Sequence, residues 1–146
     1  MTSITGHVSG LYWCAVAGSS MQAANRLQVI AGKGIDGDRY ATGQGTYTDT
    51  EPWQQASGLP TFTMAQTRRN ILLNGIGAQA LNSLVGQIFW VGHIQCRGTE
   101  LCTPCPRPSQ LSLQSGFQEA FDGRGGLRAE VLRGGEVAIG DVLRCE

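Results

Sequence analysis

Lysine is nearly missing from this chain: Lys33 stands alone against ten arginines. Arginine grips phosphates and carboxylates through a planar, bidentate fork that lysine lacks. A coding bias accounts for the total, so the weight falls on where individual arginines stand. Net charge is missing too, with 11 basic and 11 acidic side chains. Nothing global draws the protein to nucleic acid or to an anionic membrane. No apolar run approaches membrane-spanning length. No basic stretch leads into an apolar one near Met1, so no signal peptide is expected. The expectation is a soluble cytoplasmic protein. Repeats and composition breaks are absent, which predicts a single domain over 1–146. The five cysteines, Cys14, Cys96, Cys102, Cys105 and Cys145, form an odd, irregular set that argues against a disulfide framework.

Glycine is plentiful, with 21 copies, and favours strands joined by tight turns over a helical bundle. A first strand is predicted over residues 5–16 and a second over 26–30. The latter runs into Gly32-Lys33-Gly34-Ile35-Asp36-Gly37-Asp38, a turn with several exposed backbone N–H groups. Residues 41–61 show no period and read as a long surface loop. A short apolar strand is predicted over 68–73, one or two helical turns over 78–84, and a hairpin over 87–99. Residues 100–108, with three prolines, read as loop. A short helix is predicted over 115–121, then closing strands over 126–132 and 137–143. The sum is about seven strands and two short helices, which suggests a barrel or sandwich.

Cys102-Thr103-Pro104-Cys105 is the sharpest chemical feature. Its readings stay open on the residues alone. A thioredoxin-like redox pair needs a helix to start there, which Pro108 opposes. A structural zinc site needs four ligands, with His93, Cys96, Cys102 and Cys105 as local candidates. His93 and Cys96 would point to opposite faces of a strand. A third reading is one functional thiolate with the second cysteine as support. The fourth is two small packing thiols.

Four segments in order resemble the MOSC family, named after the C-terminal domain of molybdenum cofactor sulfurase. They are Gly34-Ile35-Asp36-Gly37-Asp38-Arg39-Tyr40, Arg68-Arg69-Asn70-Ile71, Leu101-Cys102-Thr103-Pro104-Cys105, and Gly125 to Val131 with Gly140-Asp141. The resemblance implies a mainly β, MOSC-type barrel with a few short helices. It implies sulfur carriage or a molybdenum-cofactor-dependent reduction of N-hydroxylated compounds. Cys105 becomes the metal ligand or sulfur-bearing catalytic residue. Arg68, Asn70, Arg39, Arg128 and Cys102 become cofactor contacts. Molybdenum cofactor (molybdopterin) is the implied small anionic ligand, with pyridoxal phosphate binding a family-level association. The chain has no ferredoxin-type cysteine pattern or flavin motif, so electrons or sulfur would come from a partner protein. Oligomers are compatible with the exposed strand edges expected around the short 41–67 stretch. A non-catalytic anion- or partner-binding module and a structural zinc domain are the competing readings.

Other roles are expected to be structural. Asp38 and Arg39 can brace a turn as an ion pair, Arg69 should point to solvent, and Asp141 should fix a terminal turn. Arg124 and Arg128 divide evenly between structural and pocket roles. Cys14, Cys96 and Cys145 read as packing thiols.

Overall fold

The computed structural model describes residues 4–16, 18–38, 69–102, 111 and 126–145, and the backbone alone for 44–49. The strands are β1 (Ile4–Trp13), β2 (Gln22–Ala24), β3 (Arg26–Ile30), β4 (Gly34–Ile35), β5 (Gln44–Asp49), β6 (Ile71–Asn74), β7 (Ile88–Val91), β8 (Ile94–Leu101), β9 (Leu127–Arg133), β10 (Gly135–Ala138) and β11 (Val142–Cys145). One helix, α1 (Ala78–Asn82), lies between β6 and β7.

The large sheet runs β11-β7-β8-β9-β5-β6-β1-β2, and β11 also pairs with β1, so the sheet closes on itself as a barrel. Closure removes the exposed edges that an open sheet would leave. A small second sheet has the order β10-β3-β4. The β5–β6 pair is parallel, and every other named strand pair is antiparallel.

Alternation builds the core. In β9, Leu127, Ala129 and Val131 turn inward, while Arg128 and Glu130 turn outward. Phe89 and Val91 of β7, Ile94 and Cys96 of β8, and Leu143 of β11 join them. β6 does not alternate: Ile71, Leu72 and Leu73 are all buried. A strand paired on both sides and covered on both faces reads as a continuous apolar run.

The sequence expectations hold for the first two strands, the hairpin and the helical turns at 78–82. They miss the short strands β2 and β4, the latter inside the expected glycine-rich turn, and two further features. Gln44–Asp49 is a strand rather than loop, because its lateral partners β6 and β9 decide its conformation and its Gly, Thr and Gln residues carry little apolar signal. The final expected strand is two strands, split at the Ile139-Gly140-Asp141 turn. The expected helix at 115–121 lies outside the described residues.

Gly98 marks a place where only glycine fits. A Cβ there would run into the Leu84 carbonyl. The strand bulges between Gly98 and Glu100, Gly98 N–H donates to the Gln87 carbonyl, and the Gly98 carbonyl accepts from Gly86.

Candidate functional site

β1 gathers the first two motif segments at its C-terminal end. Asn70 immediately precedes β6. Its backbone carbonyl accepts from Tyr12 N–H at 2.8 Å, and its Nδ2 donates to the Tyr12 carbonyl at 2.9 Å. The side chain thus extends the β1–β6 ladder by one rung. Two residues on, Cys14 N–H donates to the Asp38 carboxylate at 2.9 Å, and Asp38 N–H donates to the Ile35 carbonyl. The glycine-rich turn is therefore tied to the same strand end as Asn70. Asp38 is buried and accepts from the Cys14 backbone; the expected ion pair with Arg39 falls outside the described residues, as Arg39 does.

Asn70 is fully buried, and its Oδ1 has no hydrogen-bond partner among the described residues. A buried amide oxygen left unpaired is costly and marks a place where a donor is wanted. Arg69, expected to face solvent, is buried at 6% exposure. Both neighbours of β6 and the layers over its two faces enclose the segment, so there is no solvent side for it to face.

The third and fourth segments meet at the other strand ends. Cys102 follows β8, and its N–H donates to the Gly126 carbonyl just before β9. Its side chain is buried. Arg128 faces outward, its Nε 3.8 Å from Glu100, which is its cross-strand neighbour. β5 joins the two halves. Leu11, Ile71, Tyr47, Leu127 and Leu101 form one continuous row across β1, β6, β5, β9 and β8. Strand direction then puts Tyr12, Asn70 and Arg128 on one side of that row and Cys102 on the other. The structure unites Asn70 with the Asp38 turn and leaves Cys102 across the row. Arg68, Arg39 and Cys105 lie outside the described residues.

Tyr12, Cys14 and Asp38 were not among the expected contacts. Tyr12 and Cys14 act through backbone groups, which carry no residue-type signal, and Asp38 acts through a long-range backbone contact. Asp141 behaves as expected: its carboxylate accepts from Ala138 N–H at 2.9 Å and holds the turn between β10 and β11.

The zinc reading finds no group of three His, Cys, Asp or Glu side chains able to hold a metal among the described residues. His93 is exposed and Cys96 is in the core, so the two diverge. Cys14, Cys96, Cys102 and Cys145 are not joined in disulfides. Among the described residues, no helix is long and apolar enough to cross a membrane.

A family profile for the MOSC domain matches residues 37–144. Among solved structures, the YuaD protein from Bacillus subtilis is similar at a TM-score of 0.83 and 18% identity, over 98% of this chain and 96% of that one. YiiM from Geobacillus stearothermophilus is similar at 0.66 and 17%, over 99% and 76%. YiiM from Escherichia coli follows at 0.65 and 16%, over 100% and 70%. At these identities the likeness establishes the fold. No curated protein gives a significant sequence match. The profile begins at residue 37, so β1, which anchors both Asn70 and Asp38, lies before the matched span.

Proposed function

Because the chain belongs to the MOSC domain family, which is associated with molybdenum-cofactor sulfurase-like proteins, we propose that it handles molybdenum cofactor or activated sulfur through Cys105. The observation that carries this reading is the buried, unpaired Oδ1 of Asn70 within the Arg68-Arg69-Asn70 segment. A pterin bears ring and amino N–H groups. One of them, donated to this oxygen, would remove the cost of the orphan acceptor. Arg68 is the partner for the terminal phosphate, since a guanidinium holds it by two parallel hydrogen bonds. Arg39, Arg128 and Cys102 are the further contacts in this reading, with Arg128 having to leave Glu100 in order to reach a ligand.

Cys105 acts as a thiolate. In sulfur transfer it attacks the outer sulfur of a donor persulfide. A new S–S bond forms on Cys105, the donor's S–S bond breaks, and the donor leaves as its thiolate. When bound, molybdenum cofactor supplies two-electron redox chemistry, for which a separate redox protein would be the electron source. Guanidinium groups such as those of Arg68 and Arg39, if brought beside Cys105, would favour its thiolate over the thiol.

The test is expression in cells that make molybdenum cofactor, followed by elemental analysis and intact-mass spectrometry. The expected result is bound molybdenum with pterin, or a sulfur adduct of Cys105 after exposure to a persulfide donor. Absence of both pterin and adduct would refute the proposal. A non-catalytic binding module is the second reading, favoured by the position of Cys102 across the row from Asn70. It predicts that Cys105→Ser leaves ligand affinity unchanged while Arg68→Ala abolishes it.

A further inference from the structure

Away from the Asn70 end, the outer face of the barrel carries an arrangement that sulfur or cofactor handling does not use. Thr5, Arg144, Trp90, Gln95 and Arg133 form a row across β1, β11, β7, β8 and β9. The Trp90 ring lies under two guanidinium groups. Arg144 is 5.5 Å and Arg133 5.9 Å from the ring centroid. Both are within cation–π range. Neither arginine has a carboxylate partner among the described residues, in contrast to Arg26, Arg97 and Arg128, which face Glu136, Glu130 and Glu100. Among the described residues, the one hydrogen bond of the Arg144 side chain is a long 3.3 Å contact to the Gly92 carbonyl.

Beside this row is a cavity of about 230 Å³ lined by Ile88, Trp90, Arg144 and Cys145. Ile88 is 46% exposed and offers an apolar surface at the cavity wall. The Cys145 thiol is already committed as a donor to the Ile88 carbonyl at 3.3 Å. The lining thus combines an indole ring, an isoleucine side chain and an arginine with no carboxylate partner among the described residues, and its thiol donates to a backbone carbonyl.

We propose that the Trp90–Arg144 cavity is a binding site for a small ring-bearing anion, an aryl carboxylate or aryl phosphate. The ring of such a ligand packs against Trp90 and Ile88, and its anionic group takes the bidentate face of Arg144, with Arg133, also within reach of the indole, adding charge. The cavity volume suits a single ring with one anionic group. This site is independent of the molybdenum and sulfur reading, because it shares no residue with it.

The experiment is a titration of the full-length protein followed through the Trp90 indole N–H resonance, identified with Trp90→Phe. The probes are benzoate and phenyl phosphate, with benzamide as the neutral ring, and acetate and inorganic phosphate as ringless anions. At least one aryl anion should shift the resonance saturably, and its identity says whether the site takes carboxylate or phosphate. Benzamide, acetate and inorganic phosphate should bind at least tenfold more weakly. Arg144→Gln should weaken the aryl anion by about tenfold, with Arg133→Gln having a smaller effect and both variants keeping the parent circular dichroism and Tm. Absence of any aryl-anion binding, equal binding of the ringless anions, or an unchanged affinity in Arg144→Gln would overturn the proposal. Asn70→Leu should leave this titration untouched, so failure here and failure of the Cys105 reading are told apart.

Discussion

Replacing Asn70 by leucine should cost far less than its complete burial suggests. The side chain is 0% exposed, and its Nδ2 donates to the Tyr12 carbonyl at 2.9 Å. Losing that bond and leaving the Tyr12 carbonyl without this donor costs about 1–3 kcal/mol. The same change deletes an Oδ1 that is buried with no partner. Removing an unsatisfied buried acceptor returns about 1–3 kcal/mol. The backbone bond from Tyr12 N–H to the residue 70 carbonyl survives any side-chain change. The two contributions offset, and the cofactor-free variant is expected within about 1 kcal/mol of the parent. Leu73→Ala, three residues along and equally buried, is the control and should cost about 2–5 kcal/mol. Urea melts of cofactor-free protein separate the two. With slopes of about 1–3 kcal/mol/M, the leucine variant should move the midpoint only slightly, and the alanine variant by far more. If Asn70→Leu is as damaging as Leu73→Ala, then Oδ1 is satisfied within the folded protein. No acceptor then waits for a ligand, and the argument for the site collapses. In protein loaded in a cofactor-making host, the same variant should lose bound pterin while remaining folded.

Four further outcomes follow from the contacts described. Cys105→Ser should abolish the sulfur adduct seen by intact mass, whereas Cys145→Ser should preserve it. Gly98→Ala should destabilise by about 3 kcal/mol or more, because the added methyl meets the Leu84 backbone rather than a movable side chain; a melt within about 0.5 kcal/mol of the parent would contradict that packing. Asp38→Ala strips the acceptor from Cys14 N–H and should lower stability by about 1.5–3 kcal/mol in denaturant unfolding. Glu130→Gln removes the charge from the 2.9 Å contact with Arg97, but both side chains are close to half exposed, so calorimetry should register no more than about 1 kcal/mol.

The barrel was legible in the sequence wherever burial is one-sided. Leu127-Arg128-Ala129-Glu130-Val131 alternates because each side chain in β9 has either core or water to face, and the pattern announces both strand and register. The glycine turn at Gly92 punctuates the chain for reasons local to the backbone, so the hairpin could be placed without coordinates. The ordered motif segments likewise pointed to the family from residue identities alone. Asn70 was singled out by its motif, and its amide has the donor and acceptor that the site uses.

Tertiary structure decided what depends on partners distant in the chain. β5 has no pattern of its own; it is a strand because β6 and β9 leave a gap one strand wide, and a backbone must fill its hydrogen bonds there. Arg69 is buried because its segment runs between β1 and β5, a circumstance that no local rule encodes. The orphaned oxygen of Asn70 and the commitment of Asp38 to Cys14 arise from where β1 ends, and β1 shares no motif with either. Residue types record what each side chain is able to do, whereas the closed sheet sets which of those abilities are spent inside the protein and which are left for something else.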